Sequence, residues 1–156
     1  MGYIVIILAI LGLDQLTKWL VATNLAVGQS IPIIGIFKIT YIQNTGAAFS
    51  ILTGGTVILI ILTLIFLVAA IYYWRKPFME PYRLVASIII GGTLGNFVDR
   101  LCRGYVVDFF NFTYFPVFNI ADIALCCGVG LLILQILLSK DGKEDGGTEK
   151  TKNRTE

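Results

Sequence analysis

The chain of 156 residues contains no histidine. That removes the commonest general base and the commonest ligand for a transition metal. Charge is also scarce, at 14% of residues against about one-quarter in a soluble domain. With 56% hydrophobic residues, this is the composition of an integral membrane protein. The cysteines, Cys102, Cys126 and Cys127, are odd in number and include an adjacent pair, which makes neither a disulfide framework nor a metal-ligand spacing. They read as small apolar packing residues, and Cys102 has no histidine to activate it as a nucleophile. No basic stripe with interleaved aromatics exists, so nucleic-acid binding is not expected. The N-terminus lacks the basic segment and cleavage site of a secretory signal, so its apolar run reads as a retained membrane helix. Ile6 breaks the myristoylation pattern.

What the chain does have is four aspartates in or beside apolar segments: Asp14, Asp99, Asp108 and Asp122. A carboxylate near hydrocarbon costs several kcal/mol unless it is paired, protonated or facing water, so each is a functional candidate.

A spanning helix needs roughly 20 apolar residues. Four segments qualify: Tyr3 to Ala22, interrupted by Asp14 and Lys18; Val57 to Trp74, without charge; Leu84 to Val98, short and rich in glycine; and Asn119 to Leu138. Eight of the lysines and arginines fall in the loop around Arg75 to Arg83 and after the fourth span, and four on the opposite side. By the positive-inside rule both termini are cytoplasmic and the four aspartates lie toward the outer face. The expected architecture is an all-α membrane protein: four transmembrane helices, a small extracytoplasmic β segment and a short surface helix. The β segment is Ile31 to Gln43, rich in β-branched and aromatic residues and read as one or two strands. A turn follows at Asn44-Thr45-Gly46, and Ala47 to Leu52 suits the surface helix. Cys102 to Phe118 reads as an aromatic-rich loop dipping into the headgroups. Residues 1–138 form the membrane domain, and the polar remainder, 139–156, is expected to be a disordered cytoplasmic tail.

Asp14 and Lys18 are four apart with the acid first, the favourable order for a helical ion pair. The glycines at 91, 92 and 95 suit close helix packing. Asn96 and Arg100 share a face and could hold a peptide carbonyl, while Asp99 reads as the partner of Arg100. Asp108 and Asp122 are separated by 13 residues at one interface. Two carboxylates held close in a low-dielectric site share one proton and can divide base and acid roles. The plainer alternative is that Asn119 or Asp122 caps the fourth helix.

Five blocks in order, Asp14-Gln15-Leu16-Thr17-Lys18, Asn44 to Phe49, Gly92 to Arg100, Val106-Val107-Asp108-Phe109 and Phe118 to Asp122, resemble bacterial lipoprotein signal peptidase (signal peptidase II). The resemblance implies an aspartic membrane endopeptidase that cuts prolipoproteins before a diacylglyceryl-modified cysteine. It implies a catalytic dyad at Asp108 and Asp122, with Asn44, Gly46, Asn96, Arg100 and Asn119 shaping the substrate site. Asp14, Lys18 and Asp99 match positions of supporting character. No metal or cofactor is implied. The expected partners are lipidated prolipoproteins and membrane lipid, acting on a monomer in the bacterial cytoplasmic membrane. Two other classes compete on composition. A four-helix proton-coupled exporter would use Asp14, and a metal-dependent phosphotransferase would need helix-spaced aspartates that this chain lacks.

Overall fold

The computed structural model describes residues 2–46 and 55–152, with side chains described as far as Ser139. Among the described residues four helices are long and apolar enough to cross a bilayer. The first, α1, spans Gly2–Asn24, and the uncharged α2 spans Gly55–Trp74. A 3-10 turn at Pro77–Tyr82 leads into α3, Arg83–Arg103, and α4 spans Ile120–Lys152. The chain is a multi-pass membrane protein.

Helix α3 is the hub, packed on α1, α2 and α4. Its glycines explain why. A Cβ on Gly92 would sit 2.6 Å from the Ala121 carbonyl oxygen of α4, and one on Gly95 would sit 2.5 Å from Asp14 Oδ2 of α1. Only a residue without a side chain lets these three helices close to that distance. The third span is longer than Leu84 to Val98. It runs through Asp99 and Arg100 and stops at Gly104, whose φ of 78° lets its N–H close back on the Arg100 carbonyl.

The β segment is present, and larger than the sequence suggested. Strands β1 (Ser30–Ile34), β2 (Phe37–Asn44) and β3 (Val106–Phe112) form one antiparallel sheet in that order. The third strand was expected to be loop. Its Val-Val-Asp-Phe run does not alternate, because Val106, Val107, Asp108 and Phe109 are all buried, so both faces are covered. Tyr41, Val107 and Phe109 form a small core against Val21, Ala22 and Leu25 of the α1 end and Ile120 of α4. This seats the sheet on the ends of those helices. The surface helix expected at Ala47 to Leu52 lies outside the described residues. Helix α4 continues to Lys152, through the polar stretch where no regular structure was expected from residue 139 onward. A helix already nucleated by its apolar part needs no new nucleus to extend, and this propagation offsets the roughly 1 kcal/mol that each of Gly142, Gly146 and Gly147 costs.

Candidate active site

Asp108 and Asp122 reach the same place from different elements. Asp108 sits in the middle of β3, where β2 pairs with it so that Ile42 lies opposite Asp108 and Asn44 opposite Val106. Asp122 lies in the first turn of α4. There Asn119 and Asp122 close on each other: the Asp122 N–H donates to Asn119 Oδ1 at 2.9 Å, and the Asn119 N–H donates to Asp122 Oδ2 at 3.1 Å. This is a reciprocal capping box, so the plain capping reading is correct for both residues. It also pins one Asp122 oxygen and leaves the other turned to α3.

Three asparagines then hold the two carboxylates, each anchored at its own oxygen by a donor that cannot turn away. Asn44 Oδ1 accepts the Gly46 N–H at 2.9 Å, and its Nδ2 donates to Asp108 Oδ2 at 2.8 Å. Gly46 is needed at that turn, since its φ is +89° and a Cβ would meet Leu59 at 2.9 Å. Asn119, anchored by the helix cap, donates to Asp108 Oδ1 at 2.6 Å. Asn96 donates to Asp122 Oδ1 at 2.8 Å. Asp108 is 2% exposed and Asn119 fully buried, whereas Asp122 is half-buried.

Burial pushes the Asp108 carboxyl up to about 6, and the neighbouring Asp122 charge pushes the same way. The hydrogen bonds from Asn44 and Asn119 and the Lys18 charge pull it back. A carboxyl near 6 holds or releases a proton close to neutrality, as acid–base chemistry requires.

Behind the dyad lies a second charged cluster. Asp14, Lys18 and Asp99 are each wholly buried. Lys18 Nζ lies 2.9 Å from Asp14 Oδ2 and 3.1 Å from Asp99 Oδ2. The expected Asp14–Lys18 pair is present. The expected Asp99–Arg100 pair is not: neighbours on a helix point about 100° apart, and Asp99 turns inward to Lys18, to Arg103 at 3.4 Å and to the Val107 N–H at 3.1 Å. Asp14 Oδ1 accepts the Ala121 N–H at 2.9 Å, tying α1 to the start of α4. Gln15, which the sequence reading passed over, donates to Asp14, to the Gly95 carbonyl and to Asp99. A lone amide beside an aspartate in an apolar helix was the signal for it.

Arg100 faces the other way. With Asn96, Asp122, Thr93 and Thr63 it lines an open cleft of roughly 370 Å³ between α2, α3 and α4. Its Nε is buried and finds no partner among the described residues. A larger cleft of about 500 Å³ near Tyr73 and Phe78 is lined by no carboxylate or cation. The smaller one is lined by two, Arg100 and Asp122. Among the described residues no cluster of His, Cys, Asp or Glu is arranged to hold a metal.

Residues 6–138 match the family model described as signal peptidase (SPase) II. A lipoprotein signal peptidase of Halalkalibacterium halodurans is 41% identical over 160 residues, covering 98% of this chain and 99% of that protein. The lipoprotein signal peptidase of Bacillus subtilis is 44% identical over 153 residues, covering 92% and 98%. A bacterial membrane enzyme structure solved by the in meso method at 2.3 Å resolution superposes with a TM-score of 0.83 at 36% identity, covering 91% of each chain. With the match running through every element that builds the cleft, the chain belongs to the signal peptidase II family and is a protease by that membership.

Proposed function

We propose that this protein is an aspartic endopeptidase that removes signal peptides from prolipoproteins, cutting before a diacylglyceryl-modified cysteine, with Asp108 and Asp122 as its dyad. The observation that carries the reading is the convergence of these two carboxylates, held by neutral amides, beside an open cleft that also presents Arg100. In the working form one carboxyl is ionised and the other holds the shared proton. The ionised group takes a proton from water as the water oxygen attacks the scissile carbonyl carbon. The protonated group gives its proton to the carbonyl oxygen, and the tetrahedral diol forms. Collapse of the diol breaks the C–N bond: a proton passes to the departing amine and one diol proton returns to the dyad, restoring its single proton.

Arg100, whose buried Nε has no partner among the described residues, and Asn96 are suited to orient the peptide carbonyls of the substrate; Asn44, Gly46 and Asn119 shape the wall around Asp108. The reaction needs no metal or cofactor, so cleavage persists in EDTA. Activity lost on chelation and restored by zinc would reject the aspartic mechanism. The dyad stands at the end of the bundle opposite the Arg75 to Arg83 loop, which suits a substrate whose lipid lies in the membrane and whose protein body lies outside. Both termini are then cytoplasmic, residues 1–138 form the catalytic unit, and the unit acts as a monomer. A cysteine placed at Pro77 on a cysteine-free background is expected to resist impermeant reagents in sealed cells. An exporter working through Asp14 gains nothing from this geometry, since Asp14 is already bonded to Lys18 and the Ala121 N–H. The direct test is purified protein in detergent with a lipidated prolipoprotein, wild type against Asp108→Asn, read on a gel. The wild type cuts and the variant does not; equal cutting by both would sink the dyad.

A further inference from the structure

We infer that Lys18 is a positioning residue for the dyad, acting on Asp122 through a single amide. The inference rests on the aspartic reading above. An ammonium has three N–H donors and no acceptor. All three of those of Lys18 find acceptors: Asp14 Oδ2 at 2.9 Å, Asp99 Oδ2 at 3.1 Å and Asn96 Oδ1 at 2.9 Å. The first two neutralise buried charge. The third does something else. Because Lys18 only donates, the Asn96 side chain must turn its oxygen toward α1, which turns its NH2 outward to Asp122 Oδ1 at 2.8 Å. The opposite rotamer would set an amide NH2 against a buried ammonium and offer a carbonyl oxygen to Asp122.

Asn119 Nδ2 also reaches Asn96 Oδ1, at 3.1 Å, but it lies nearer Asp108 Oδ1, at 2.6 Å, and spends its amide chiefly there. The bond from Lys18 is charge-assisted and about twice as strong as a neutral one. It completes the pattern of the site. Gly46 anchors Asn44 and the α4 cap anchors Asn119, both by backbone N–H groups, whereas Asn96 stands mid-helix, where its neighbouring N–H groups are already used. Lys18, wholly buried and more than 70 residues away in sequence, supplies the anchor that the helix cannot. Lys18 touches no reacting atom.

The test separates this role from charge neutralisation. In the variant K18M/D14N/D99N the buried charges are removed together, so a purely neutralising Lys18 is no longer required. We expect that variant to insert and to bind lipidated prolipoprotein, with kcat falling by roughly tenfold or more through loss of alignment and KM changing by less. Wild-type kcat in the triple variant would overturn the proposal. A second measurement needs no variant of Lys18: side-chain amide hydrogen exchange of the wild-type protein by NMR, with Asn96 assigned by its disappearance in Asn96→Asp. Protected Asn96 Nδ2 protons are expected, and exchange at the rate of a solvent-exposed asparagine would overturn the proposal even if the triple variant fails to fold. An active Asp122→Asn protein would instead remove the dyad reading itself, so the two failures are distinct.

Discussion

Two pairs of aspartates lie within one small region, with the same chemistry and opposite surroundings. Asp14 and Asp99 share a cation: Lys18 touches both, and Arg103 lies beside the second. Asp108 and Asp122 have no cation within ion-pair distance among the described residues and are bonded instead to three asparagine amides and a backbone N–H. Compensated charges hold helices together and have no reason to exchange protons. Carboxylates held by neutral donors are fixed in space but not neutralised, so one must keep a proton when buried beside the other. On the proposed mechanism, catalysis and architecture are thus divided by the type of hydrogen-bond donor, not by the type of acid.

The contrast is most severely tried by removing an acid from one pair and the shared cation from the other. Asp108→Asn or Asp122→Asn is expected to lower cleavage of lipidated prolipoprotein by about 10³-fold or more, the scale of a lost acid–base group, with insertion retained. Full activity in either variant would erase the distinction from the active side. Lys18→Met, by contrast, leaves Asp14 with no cation and Asp99 with Arg103 alone, and is expected to cost about 3–5 kcal/mol of stability, read as a fall in detergent melting temperature. A melting curve like that of the wild type would mean that the inner cluster holds nothing together. Gly95→Ala drives a methyl into Asp14 Oδ2 at 2.5 Å, and about 1–3 kcal/mol is expected to be lost by the same assay.

The remaining effect is on pH dependence. Asp108 titrates near 6 when folded and near 4 when unfolded, so the folded protein binds the extra proton between those values. The stability from that proton is full below about pH 4 and is lost as pH rises to about 6, an amount of roughly 2–3 kcal/mol. Melting temperature is therefore expected to fall across that window in the wild type and less steeply in Asp108→Asn. On the proposed mechanism cleavage is expected to follow a bell whose alkaline limb begins near 6, where the shared proton leaves the pair. An alkaline limb well above that value would place the working proton outside the dyad as drawn.

Much of this was legible in one dimension. Spans are set by runs of apolar residues, so α1, α2 and α4 start close to where hydropathy places them; the polar end of α4 carries no such signal, and its helix passed unseen. Strands β1 and β2 showed in their β-branched residues, while β3 did not, because a strand covered on both faces loses the alternation that marks it. The ion pair of Asp14 and Lys18 follows from helical spacing alone. The partner of Asp99 could not be read that way: Arg100 is adjacent in sequence but turned aside, and Lys18 comes from another helix.

By itself the sequence determined that this is a membrane protein, that carboxylates were the candidates for its chemistry in the absence of histidine, and which aspartates were available, since these follow from composition and from the cost of charge in hydrocarbon. Only the tertiary structure decided which aspartates became paired to a cation and which were left to amides. That choice depends on α3 approaching α1 and α4 through its glycines until Lys18, Asn96 and Asn119 meet, and a contact between residues so far apart in the chain leaves no periodic trace in it.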